Sequence, residues 1–149
     1  MDFITNLFDL ELSKFVPEMP VFLGGLRAIL VLAVLIGPVL LVTLSAMYLL
    51  RPAPEANFKY GFRTYYGMGS IEAWRFSQKI AGLAYGVLGV ILLLVMLIVV
   101  LTFFGKDLFR IATTSIICLL CQAGLSLIAR LAVAISCCVY FDKDGARRR

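Results

Sequence analysis

The 149-residue chain contains no histidine, a single tryptophan and only nine Asp and Glu residues, and charged residues of both signs make up 15% of it. Without an imidazole, the commonest general base and metal ligand is missing. None of the nine carboxylates falls inside the long apolar runs, so a paired-carboxylate site or an intramembrane proton relay has no residues to build it. Cys118 and Cys121 have C-x-x-C spacing, but they lie in an apolar segment, lack a second ligand pair, and would need thiolates that a bilayer penalises. For all four cysteines the favoured reading is a small buried hydrophobe, with acylation of Cys137 and Cys138 as the alternative. An enzyme is therefore the weakest expectation, and neither cofactor nor metal is expected.

What the chain has instead is apolar surface: 62% hydrophobic residues and a mean hydropathy of +0.98. A globular domain has about half apolar and a quarter charged residues. This balance excludes intrinsic disorder, a disulfide-stapled secreted scaffold and an ordinary soluble domain. It also means that the net charge of +5 must be read by position, not as a nucleic-acid footprint.

The expectation is an all-α integral membrane protein forming a single membrane domain over residues 1–149. Crossing roughly 30 Å of hydrocarbon takes about 20 apolar residues. Three stretches qualify: residues 22–50, with an uncharged run from Ala28; residues 80–105, within a helix expected from Ile71 to Phe104; and residues 111–141, interrupted by Arg130. Pro52 and Pro54 stop the first helix, Gly105 closes the second, and Ser70 with Glu72 caps the second helix's start. Gly37 and Pro38 would kink the first helix.

Residues 1–20 place Phe3, Ile4, Leu7, Phe8, Leu12 and Phe15 at helical spacing, which predicts an interfacial helix serving as an anchor or as a docking surface. The acidic start of the chain speaks against a cleaved signal peptide. Nine Lys and Arg residues lie in the 51–79 segment and the 142–149 tail, against Lys14, Arg27, Lys106 and Arg110 on the other side. This excess places the amino terminus outside and the loop and carboxy terminus in the cytoplasm.

Ser115, Cys118, Gln122, Ser126 and Arg130 fall on one face of the third helix. Opposite them, Gln78, Gly82, Tyr85, Gly86 and Gly89 form a small-residue face on the second helix, so the two are expected to meet. One reading of Gln122, Ser126 and Arg130 is a polar groove for a ligand or lipid headgroup. The other leaves Arg130 snorkelled at the boundary, with Leu131 to Phe141 along the interface.

The loop interleaves aromatics with cations: Asn57, Phe58, Lys59, Tyr60, Gly61, Phe62, Arg63 and Thr64, then Ser70, Ile71, Glu72, Ala73, Trp74 and Arg75. Such composition suits the headgroup layer. Gly61 permits a tight turn that would bring Arg63 and the Thr64 hydroxyl onto an anion beside the helix start at Ser70. The plainer alternative is a packed interfacial turn in which Arg63 pairs with Glu72 or lipid phosphate and Trp74 anchors the helix.

These residues resemble the SdpI-like bacterial membrane proteins, named after an immunity protein against a secreted sporulation-delaying peptide toxin. The shared pattern is an Asn, then Gly-x-Arg-Thr, then a Trp in the first turns of a helix and a Gly further along it, matched here by Asn57, Gly61, Arg63, Thr64, Trp74 and Gly82. The match covers residues 57–85 by motif and extends to Phe141 by hydropathy alone. The chain has three spans, about half as many as the founding member.

The resemblance implies a protein of the bacterial cytoplasmic membrane that binds a membrane-active peptide toxin or envelope ligand and confers immunity or signals its presence. Asn57, Gly61, Phe62, Arg63, Thr64, Glu72, Trp74 and Gly82 would then be the contact residues. Membrane lipids, a secreted peptide toxin, another membrane protein and a second copy of the chain are the partners to consider. The alternative functions are an accessory subunit docking through Gly82-x-x-x-Gly86, and an oligomeric transporter or lipid-handling protein using Gln122, Ser126 and Arg130.

Overall fold

The computed structural model describes residues 19–54 and 60–148. Three helices account for most of them: α1 (Met19–Leu50), α2 (Ile71–Leu101) and α3 (Leu108–Tyr140), with a 3-10 turn at Tyr66–Met68 before α2. Each holds a stretch long and apolar enough to cross a membrane, as the hydropathy predicts. The interfacial helix expected over residues 1–20 falls outside the described residues, apart from the first turn of α1.

Two boundaries differ from the charge-free runs. α1 starts well before Ala28, because Arg27 sits within the helix, where its exposed side chain reaches the turn between α2 and α3 and Nη2 donates to the Lys106 carbonyl at 3.4 Å. α3 continues without a break through Arg130 to Tyr140, so Leu131 to Phe141 does not leave the helix to lie along an interface. An arginine is a good helix former, and its long side chain can reach polar surroundings without disturbing the backbone.

The ends follow the local signals. The Ser70 hydroxyl accepts from the Ala73 amide at 3.1 Å, and Glu72 occupies the first turn of α2. After Leu101 the chain turns through Gly105, at φ +73, where a side chain would be strained.

Gly82, Gly86 and Gly89 pack against α1 rather than against the polar stripe of α3. A Cβ on Gly82 would lie 2.7 Å from Leu49 Cγ, and one on Gly86 would lie 2.5 Å from Ser45 Oγ. The Ser45 hydroxyl donates to the Gly82 carbonyl at 2.6 Å, a bond that requires this close approach.

α3 also meets α1. Pro38 lies inside α1 and has no N–H for the carbonyl four residues earlier, that of Val34. Gln122 Nε2 supplies the missing donor at 3.0 Å. Within the most apolar windows of the three helices only 22%, 22% and 17% of residues are buried, so most of each surface is left for lipid chains.

Candidate functional site: a lateral cleft between the loop segment and α3

The segment before α2 is held by side chains that reach backbone groups. Trp74, fully buried, donates its Nε1–H to the Ala53 carbonyl at 2.9 Å. Gln78 bonds Phe62 twice, accepting from its amide and donating to its carbonyl, both at 2.9 Å. Gly61 adopts φ +117, and a Cβ there would sit 2.7 Å from the Trp74 ring. Thr64 Oγ1 accepts from the Gly67 amide at 3.0 Å and so shapes the 3-10 turn. Gly61, Thr64 and Trp74 thus build the loop, and Gln78 clamps it.

Phe62, held in this way, packs edge-on to Tyr48 of α1 and Tyr85 of α2 at ring-centroid distances of 6.4 and 5.9 Å. The three rings join the loop to both helices. On the α3 side, Thr64 lies beside Cys137 and Tyr66 beside Cys138, each pair within reach of a hydrogen bond. These two cysteines lie where the segment meets α3. Cys118 is buried and Cys121 exposed on the same helix, and both are free thiols. Among the described residues no cluster of three or more metal-ligating side chains occurs.

Between the segment and α3 lies an open cleft of about 490 Å³, within the size range of ligand sites. Arg63, Thr64, Tyr65 and Tyr66 line one wall; Leu127, Arg130, Leu131, Ala134, Ile135 and Cys138 line the other. Both arginines are exposed, and among the described residues no carboxylate lines the cleft. Arg130 lies within electrostatic reach of the Tyr48 and Tyr85 hydroxyls. Along α2 the charged residues stop at Lys79, and Tyr85 lies about 9 Å further along the helix.

The expected polar stripe therefore divides into separate roles. Gln122 serves α1, Ser126 donates to the Ala123 carbonyl of its own helix at 2.8 Å, and Arg130 opens onto the cleft. The glycine face of α2 and Gln122 of the stripe both face α1 and not each other. Gly82 is a packing residue against Leu49.

The anion site expected beside Ser70 is filled by the chain itself. Ser70 Oγ accepts from Ala73 and donates to the Gly145 carbonyl at 2.8 Å, so the tail covers the start of α2. The tail forms a tight turn in which Asp142 Oδ1 accepts from the Asp144 and Ala146 amides at 3.1 and 2.8 Å. Glu72 lines a different depression, together with Arg75, Lys79 and Arg147. Asn57 lies outside the described residues.

Sequence reasoning missed Gln78 as a clamp, Tyr65 and Tyr66 as cleft walls, and the docked tail. Only the last had a local signal, the Asp142-to-Gly145 turn composition. Comparison of the chain with protein-family models, curated proteins and solved structures finds no match.

Proposed function

We propose that the chain is an SdpI-like membrane protein that binds a membrane-active peptide toxin, or another ligand acting on the envelope, and confers immunity or signals its presence. The observation that supports this reading is the convergence of Arg63, from the motif, with Arg130, from α3, on one cleft that opens sideways. A peptide that partitions into the bilayer can approach such a cleft within the membrane plane. Its polar or anionic groups would meet the two guanidiniums and its apolar side chains the α3 wall. In this reading the excess of basic residues at the loop end places that end in the cytoplasm of a bacterial cell and the amino terminus outside.

The accessory-subunit alternative has less to stand on, since the Gly82 and Gly86 face on which it relied is covered by α1 of the same chain. The test is protection. Full-length protein expressed in sensitive bacterial cells should raise tolerance to at least one member of a panel of membrane-active peptide toxins. Arg63→Ala and Arg130→Ala should each remove that gain at unchanged protein level, while Arg75→Ala preserves it. Unchanged tolerance across the whole panel overturns the proposal.

A further inference from the structure

One exposed stripe runs along the first half of α2, and its chemistry changes partway. Glu72, Arg75 and Lys79 occupy it first, and Leu83 and Val87 continue it for two more turns. Spacings of three and four residues keep all five on one side of the helix. No charged residue follows Lys79 until Lys106, so the change from cations to exposed aliphatic side chains marks where headgroups give way to acyl chains.

A third cation reaches the charged part of this stripe from the tail. The turn after Asp142 brings Arg147 back to form an antiparallel bridge with Phe141, and the Asp142 and Arg148 amides donate to the Ala146 and Tyr140 carbonyls, each at 2.9 Å. Residues bridged in this way carry their side chains on the same face. The Phe141 ring is buried and lies 5.3 Å from the ring of Phe76 on α2, so Arg147 is carried to that helix as well. Arg75, Lys79 and Arg147 thereby line one depression of about 260 Å³ together with Glu72. Whichever cation Glu72 answers, two remain, and no other carboxylate among the described residues lines the depression. An excess of positive charge that continues into an exposed apolar strip fits a phosphate joined to an acyl chain.

We infer that this depression binds an anionic phospholipid of the leaflet at the loop end, with its phosphate among Arg75, Lys79 and Arg147 and one acyl chain along Leu83 and Val87. The arginines supply paired N–H donors to the phosphate oxygens, and Lys79 supplies a point charge. Glu72, one turn further from the apolar strip, accepts from a headgroup hydroxyl, which points to a glycerol headgroup. The depression is separate from the cleft at Arg63 and Arg130, so the inference stands or falls independently of the toxin reading.

Full-length protein is reconstituted in nanodiscs of phosphatidylcholine with a minor fraction of phosphatidylglycerol, and the lipids it retains on release are counted by native mass spectrometry. Wild type should retain phosphatidylglycerol well above its bulk fraction. Each surface cation contributes about fivefold to anionic-lipid binding, so Arg75→Gln/Lys79→Gln should lose roughly 25-fold in preference and Arg147→Gln about fivefold. The tail variant leaves α2 intact, and it decides the matter if the double variant does not fold. Arg51→Gln/Lys143→Gln removes the same charge from the same end but outside the depression, and it should keep the preference. Millimolar glycerol phosphate should fail to displace the lipid.

Equal preference in wild type and the depression variants overturns the inference. Equal loss in the Arg51/Lys143 control also overturns it, since that result means diffuse attraction with no site. Displacement by glycerol phosphate overturns the choice of a lipid over a soluble anion.

Discussion

The Gln122 side chain donates to the Val34 carbonyl at 3.0 Å, and Val34 is the residue whose carbonyl Pro38 leaves without a helical donor. A helix defect in α1 and a polar residue in α3 thus cancel each other. Gly37 belongs to the same arrangement, because a Cβ there would collide with Gln122 Oε1.

This pairing predicts a thermodynamic coupling. Gln122→Leu should destabilise the bundle by about 1–2 kcal/mol, the upper range for hydrogen bonds between membrane helices. Pro38→Ala restores the amide, so in that background Gln122→Leu should cost markedly less. Reversible unfolding in mixed micelles measures all four corners of the cycle, and strict additivity would refute the coupling.

Trp74 and Gly61 should behave as structural residues. Trp74→Phe keeps most of the ring but orphans the Ala53 carbonyl, at a cost of about 1–2 kcal/mol. Trp74→Ala should cost about 3–5 kcal/mol and reduce the amount of folded protein. Gly61→Ala combines about 1–3 kcal/mol of backbone strain with a clash against the Trp74 ring. Detergent melting curves rank the three, and a Trp74→Ala variant as stable as wild type would contradict the buried contact.

Glycines should sort by what faces them. Gly89→Ala would place a Cβ 2.9 Å from Val42 Cγ2. It should destabilise by about 1–3 kcal/mol through overpacking. A Cβ on Gly124 would meet nothing within 4 Å, so alanine there is sterically free. Gly124→Ala should be neutral or stabilising by up to about 1 kcal/mol from helix propensity. The same melting experiment separates them.

Tyr66 should titrate late. Its hydrogen bond with the Cys138 thiol pushes the phenol above the usual value of 10.0. For a group whose folded value is raised, the contribution to stability is complete below the unfolded value and disappears as pH rises through the folded one. The link between the loop segment and α3 should therefore hold through neutral and mildly alkaline pH and weaken only above about pH 10. Between wild type and Cys138→Ala, phenolate absorbance should show one tyrosine move back toward 10.0 in the variant.

The spans were legible because a run of apolar residues long enough to cross a bilayer has few other uses. So was the Ser70 cap, which depends on neighbours in sequence. The glycine face of α2 announced that some helix comes close, but periodicity names a face and not its partner, and Ser45 of α1 supplied it. Arg63 and Arg130 were both visible as unusual residues. Their convergence was not, because it depends on where α3 meets the loop, at Cys137 and Cys138, which read as small hydrophobes. Trp74 and Gln78 act on backbone carbonyls and amides, which every residue carries and no sequence pattern marks.

The two ends of the bundle are fastened very differently. At the loop end, Trp74, Gln78, Thr64 and Ser70 tie α1, α2, α3 and the tail into one knot. At the far end, among the described residues, the long Arg27–Lys106 contact is the one hydrogen bond that reaches from α1 to the turn joining α2 and α3. Hydrogen bonds to backbone groups hold one end, and apolar packing around buried Met96, Phe103 and Ile111 holds the other. A change of bilayer thickness would therefore meet a directional lock at the loop end and a non-directional one at the far end.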